Sequence, residues 1–170
     1  MSQTQNIVLI SIALYVIVTS QIFHEDQVDM QRLAHLAELV GKAHLVLDLS
    51  CRFRENAYYV VSEHWQRFTS LRLDGATLSA LAAYCDEFLV HAVDVEGTCT
   101  GLDAGLLALL AEAAPIPTTY AGGISSMADL ELVKRVGRGR IDATVGSALN
   151  IFNTNLQFRR VYQRLCREYY

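Results

Sequence analysis

"HLVLDLSCR" (residues 44–52) is the stretch whose reading decides the fold. Leu45, Val46, Leu47 and Leu49 make the short apolar run of a strand covered on both faces, as strands of a parallel sheet are. Asp48 interrupts that run, and a carboxylate is strongly disfavoured in a core unless it is paired, hydrogen-bonded or neutralised. The conflict resolves if Asp48 is the last inward-facing residue of its strand. In parallel α/β sheets the carboxyl ends of the strands face the solvent and gather the ligand.

Outward from this strand the same grammar repeats. Further apolar or β-branched runs occur at 14–19 "LYVIVT", 87–92 "EFLVHA", 116–120 "IPTTY" and 141–145 "IDATV". Between them lie stretches with helical periodicity, 28–40, 76–84, 103–112 and 127–136, each long enough for a crossover helix. Strands alternating with helices predict βα units and one α/β domain built on a parallel sheet. The segment 50–74 is less regular, and "YYVVSEHWQRF" within it reads either as strand or as a long functional loop. The expected strand exits are Thr19-Ser20, Asp48-Leu49-Ser50, His91 followed by Asp94-Val95-Glu96-Gly97, Ala121-Gly122-Gly123, and Gly146-Ser147. All are polar or glycine-rich.

Composition narrows the function. Of 170 residues, 52% are hydrophobic and 19% charged, as in a globular chain. A net charge of −4 argues against nucleic acid, whose binders carry a basic face. Cys51, Cys85, Cys99 and Cys166 form no CxxC pair and read as the free thiols of a cytoplasmic protein. The five histidines fall into no ligand spacing, so no metal is expected. "IVLISIALYVIV" (7–18) is shorter than the roughly 20 residues of a membrane span. No positive charge precedes it as in a signal peptide. It is expected to feed a buried strand, with residues 1–14 left unassigned and 15–170 forming the domain.

Two loops have a mechanical reading. In "TTYAGGISSMADLELVKRV", Gly122 and Gly123 permit close backbone approach and positive φ. Ser126 then caps a helix, with Asp129 at capping-box spacing. "VGSALNIF" repeats the device with Gly146 and Ser147. Tandem loops of this kind on the last two strands, meeting helix starts, are where many (β/α)8 barrels bind phosphate. Each taken singly also reads as an ordinary tight turn.

In their order, "VIVTS", "LVGKAHLVLDLSCR", "EFLVHAVDVEG", "TYAGGISS" and "DATVGSALNIF" resemble the eukaryotic branch of the phosphoribosylformimino-5-aminoimidazole carboxamide ribotide isomerase family of histidine biosynthesis. The cyclase subunit of imidazole glycerol phosphate synthase is also similar. Its sixth-strand loop, however, carries an Asp-Gly-Thr-Lys-Ser-Gly type run where this chain has "DVEGTCTG". The resemblance implies a (β/α)8 barrel of about 250 residues, of which this chain matches strands four to eight. It implies an aldose–ketose isomerisation, the Amadori rearrangement of a phosphorylated ribotide, with no metal or organic cofactor. Opening the ribose ring needs an acid and removing the C2 proton needs a base, a task for two carboxylates of separated pKa.

The family's two aspartates end strands one and five, and Asp48 matches the second, the general acid. Thr19 and Ser20 match one side of a second phosphate site, and Trp65 lies where members stack an aromatic on substrate, or else packs against its own loop. His91 reads as a loop-orienting or substrate-binding group, or as a satisfied interior histidine. Asp94 and Glu96 are the nearby carboxylates, but they neighbour Asp48 on the rim where the family base faces it across the barrel. At Ala92 a hydroxyl residue of bacterial members is missing. Cys51 reads as a packing residue, because no base accompanies it.

Three readings stay open on the sequence: an isomerase completed by a complementary N-terminal half-barrel or a second copy, a non-catalytic phosphosugar-binding module, and a truncated barrel fragment with no stable monomeric fold. Open edges at Tyr15–Thr19 and Ile141–Val145 invite pairing and predict an oligomer. No membrane partner is expected.

Overall fold

The computed structural model describes residues 15–24, 26–62, 65–98, 101–146 and 148. Five parallel strands form its main sheet: β1 (Val16–Val18), β4 (Leu45–Asp48), β8 (Glu87–His91), β9 (Thr118–Ala121) and β10 (Ile141–Thr144), lying side by side in chain order. Sequential order without reversal is barrel-type winding, not that of a doubly wound sheet. Helices α1 (Met30–Val40), α2 (Gly75–Leu81), α3 (Ala104–Ala113) and α4 (Met127–Val136) make the crossovers. The fold is α/β, a part of a barrel.

Each helix starts where a side chain satisfies its first free amides. Asp29 accepts from Arg32 N, Asp74 from Thr77 N and Asp103 from Leu106 N. Ser126 and Asp129 form the expected capping box on α4, which spans the expected residues. The caps explain why α1 begins at residue 30, two later than the periodicity suggests. β9 also starts two residues late: prolines 115 and 117 lack the N–H a ladder needs, and Pro117 contributes only its carbonyl, to Phe88 N.

The two faces of the sheet differ. Leu45, Leu47, Phe88, Val90 and Tyr120 lie fully buried and pack with Leu106, Leu107 and Leu110 of α3 in one core. On the opposite face sit Ile17, Val46, Asp48, Glu87, Leu89, His91, Thr119 and Thr144, joined by the ladder register Ile17↔Val46↔Glu87 and His91↔Ala121↔Thr144. Apart from Val46 and Ala121, residues on this concave face are only half-buried or exposed, Ile17 by 56%. In a closed barrel that face is the interior.

Segment 50–74 is the main departure. It forms an antiparallel three-stranded sheet of β5 (Cys51–Arg54), β6 (Ala57–Ser62) and β7 (Arg67–Arg72). Glu55 (φ 50°) and Asn56 (φ 63°) make a two-residue hairpin turn between β5 and β6. A short ribbon, β2 (Phe23–His24) with β3 (Gln27–Val28), follows β1.

Asp103 ties the added sheet to the barrel. Its Oδ1 accepts from Tyr58 OH on β6 at 2.7 Å and from Leu106 N at 3.0 Å, while its own N–H donates to Tyr120 OH at 2.8 Å. Burial and the Asp103 carboxylate push the Tyr58 phenol well above its ordinary range, so it remains a donor. Asp103→Ala removes a helix cap and strands a buried hydroxyl, and is expected to destabilise by about 2–4 kcal/mol. Urea unfolding followed by fluorescence of the single tryptophan, Trp65, measures it. An unchanged midpoint would contradict the bridging role.

Candidate functional site

The strand ends place Asp48 beside His91. Asp48 closes β4, His91 closes β8, and they stand on the same face of neighbouring parallel strands. His91 Nδ1 lies 3.0 Å from Asp48 Oδ1, the side chains being 23% and 11% exposed. Ser50 Oγ donates to the same oxygen at 3.2 Å. Trp65 Nε1 in turn donates to Ser50 Oγ at 3.1 Å, and the Trp65 ring stands 6.4 Å from the imidazole, centroid to centroid. Both donors converge on Oδ1, so Oδ2 has no protein donor among the described residues and can address a ligand. The hydrogen bond to Asp48 raises the His91 pKa above the ordinary histidine range, against the lowering effect of burial.

A cleft of about 660 Å³ opens beside this cluster, walled by Thr19, Ser20, Gln21, Asp48, Ser50 and Trp65. Its size suits a small polar ligand. Thr19 and Ser20 leave β1 into a tight helical turn and are exposed. Ser62, at the end of β6, also lines the cleft, and its Oγ is buried with no hydrogen-bond partner among the described residues. The wall is hydroxyls, one amide, one carboxylate and one indole, with Phe23 and Val61 as its apolar part.

Gly122, Gly123 and Gly146 line a second, smaller recess with Gly97, Glu96 and Thr144. The two glycine loops therefore meet at the carboxyl ends of β9 and β10; Ser147 lies outside the described residues. Gly122 (φ 116°) and Gly123 (φ 72°) occupy conformations that favour glycine. A Cβ on Gly122 would stand 2.8 Å from the Ala92 carbonyl oxygen, and one on Gly123 would overlap the Gly101 carbonyl. Gly146 has open space around it. The start of α4 is already occupied. Asp129 Oδ2 accepts from the amides of Ser125 and Ser126 at 2.9 and 2.8 Å and from both hydroxyls. Burial raises the Asp129 pKa, but these hydrogen bonds outweigh it and hold the carboxyl below its ordinary value. The Ser125 and Ser126 amides are therefore taken, and the glycine backbone is left to meet an anion.

Asp94 stands apart from the Asp48 cluster. Its Oδ1 accepts from Arg52 Nε at 2.7 Å and its Oδ2 from Phe53 N at 3.0 Å, clasping β5 to the turn after β8. Cys51 is buried, donates to the His91 carbonyl oxygen at 3.5 Å, and burial first of all pushes its thiol far up. Burial likewise pushes Cys85 up to about 12. Neither is a nucleophile. Among the described residues no cluster of three His, Cys, Asp or Glu is placed to hold a metal, and no helix is long and apolar enough to cross a membrane.

Sequence reasoning named Asp48, Trp65 and His91 separately and overlooked Ser50 as the link between them. The signal was its position two residues beyond Asp48, on the same side of an extended chain. Gln21 and Ser62 carried none.

A family model described as histidine biosynthesis protein matches residues 3–156. A chloroplastic 1-(5-phosphoribosyl)-5-((5-phosphoribosylamino)methylideneamino) imidazole-4-carboxamide isomerase of Medicago truncatula is 50% identical over 149 residues, covering 88% of this chain and 48% of that protein. The isomerase of the same name from Eremothecium gossypii is 47% identical over 149 residues, covering 83% and 57%. That of Saccharomyces cerevisiae is 43% identical over 147 residues, covering 83% and 56%. The chain spans about half the length of the curated relatives it matches.

Proposed function

The chain belongs to the histidine biosynthesis protein family, and on that premise we propose that it supplies the strand-four to strand-eight part of an aldose–ketose isomerase acting on a phosphoribosyl imidazole carboxamide ribotide. The observation that carries the reading is Asp48 at the mouth of the cleft, held through Oδ1 by His91 and Ser50 with Oδ2 available. The reaction leaves composition unchanged: one proton goes to the ribose ring oxygen as the C1–O bond breaks and one leaves C2, and the resulting enolamine becomes the ketose as the C2 hydroxyl loses a proton and C1 gains one. Asp48 serves one of these transfers. Thr19 and Ser20 bind one phosphoryl end, the backbone of Gly122, Gly123, Gly146 and Ser147 binds the other, and the Trp65 indole stacks on the imidazole. Asp94, already clasped by Arg52 and Phe53, orients the rim loop beneath the substrate.

The second acid–base group comes from a complementary N-terminal half-barrel or a second copy. Two features support this. Among the described residues β1 and β10 are the outermost strands of the sheet, and Tyr15, Val16 and Ile17 are exposed at the first of them. The concave face carries half-buried Leu89 and exposed Ile17, which barrel closure would cover. Buried free thiols at Cys51 and Cys85 fit a reducing compartment, the cytoplasm.

Mixing the purified chain with a polypeptide holding strands one to three of a relative, and following ribotide isomerisation by absorbance, tests the reading. Turnover is expected from the mixture and not from either part. A folded, associated mixture that binds the ribotide without isomerising it would leave only a binding module.

A further inference from the structure

The isomerase reading gives Asp48 a proton to move but does not say what governs its charge. Oδ1 of Asp48 accepts from Ser50 Oγ and lies 3.0 Å from His91 Nδ1, so with a proton on Nδ1 it holds two hydrogen bonds at once. Those contacts also fix the side-chain rotation, because turning Oδ1 into the cleft would break both.

We propose that His91 is a positioning residue for Asp48: its imidazole pins Oδ1, turns Oδ2 toward the cleft, and when protonated pairs the carboxylate charge. The inference rests on the isomerase reading for its kinetic consequence alone.

The surroundings of His91 favour the imidazolium. Asp48 faces it from β4, and Glu96 from the turn that follows β8; both are acidic, and both raise its pKa. From the β6–β7 connection comes the Trp65 ring, which favours a cation near it. Cys51 on β5 reaches only the His91 carbonyl and is a neutral thiol. Asp94 has its charge matched by Arg52. On β9 the residue opposite is Ala121. Because the folded pKa lies above the ordinary value near 6.5, the charged pair is complete below about that pH. It dissolves as pH climbs through the raised folded value, and the competence of Asp48 follows it down.

The decisive measurement is a side-chain proton NMR titration of the chain as it stands, with His91 assigned by His91→Asn. His91 should titrate above the ordinary range, and Asp48→Asn should lower its midpoint by about 1–3 pH units. A His91 midpoint that Asp48→Asn leaves in place overturns the proposal. The kinetic arm uses the reconstituted enzyme. His91→Asn keeps an N–H donor near the Nδ1 position without the charge, so it should retain part of the turnover and lose the alkaline decline. His91→Leu should depress kcat at every pH. An alkaline limb identical in wild type and His91→Asn also overturns the proposal. If no mixture turns over at all, the isomerase reading fails, and the NMR arm still decides the pairing.

Discussion

Gly123→Val is expected to lower the stability of the fold by about 2–5 kcal/mol, before any question of ligand binding arises. Two effects add. Gly123 holds φ at 72°, where a side chain brings Cβ against its own backbone. The new Cβ would also overlap the Gly101 carbonyl oxygen and stand 3.0 Å from Val95 Cγ2. The first obstacle is backbone on the neighbouring rim loop and cannot rotate away. Relief requires the loop after β9 to separate from the loop before α3. Urea midpoints read by Trp65 fluorescence measure the loss, and a valine variant as stable as the wild type would show that the loops do not pack this way. Gly146→Ala is the matched control: its φ is not in the left-handed region and its Cβ meets nothing within 4 Å. Stability should move by less than about 0.5 kcal/mol there. Any weakening of phosphate binding in Gly146→Ala therefore reports on the anion contact, whereas in Gly123→Val it reports on folding.

Much of this architecture is written in local pattern. The five parallel strands stand out as short runs of apolar or β-branched residues, even though burial alternates between the two faces of β8 and β10. The helices stand out through stripe and cap together, most clearly in Ser126 and Asp129. The β5–β6 hairpin does not, because its turn is Glu55-Asn56. Both residues adopt positive φ without the glycine that ordinarily marks such a turn. The side-chain alternation of 51–62 is blurred as well, since β6 is buried on both faces from Val60 to Ser62. For the site, strand exits alone assembled the rim, as parallel winding brings carboxyl ends together. The pairings on that rim were not legible. His91 lies 43 residues from Asp48, and only the register Asp48↔Leu89 puts it one step along the same face. The clasp on Asp94 was hidden for the same reason, because Arg52 reaches it across 42 residues. The capping box of Ser126 and Asp129 was legible, but not that the same carboxylate also takes the Ser125 amide.

Asp48→Asn in the reconstituted enzyme is expected to reduce kcat by about 10²–10⁴-fold while KM changes little. The amide keeps the shape of the carboxylate. Ser50 can still donate to its oxygen, so the wall of the cleft and the Trp65–Ser50 contact persist. What disappears is, among the described residues of that wall, the one group able to gain and release a proton. Ser50, Thr19 and Ser20 are hydroxyls, Gln21 is an amide, and none of these exchanges protons readily near neutral pH. Asp94 does not take over, since both its oxygens are engaged by Arg52 and Phe53 on the far side of β5. In the proposed function substrate binding relies on the glycine loops, Thr19, Ser20 and the Trp65 face, which the substitution leaves alone, and this separates kcat from KM. Initial rates across substrate concentration, on protein whose urea midpoint matches the wild type, give both constants. Turnover within about tenfold of wild type would remove Asp48 from the chemistry and return the cluster it forms with His91 and Ser50 to a structural role.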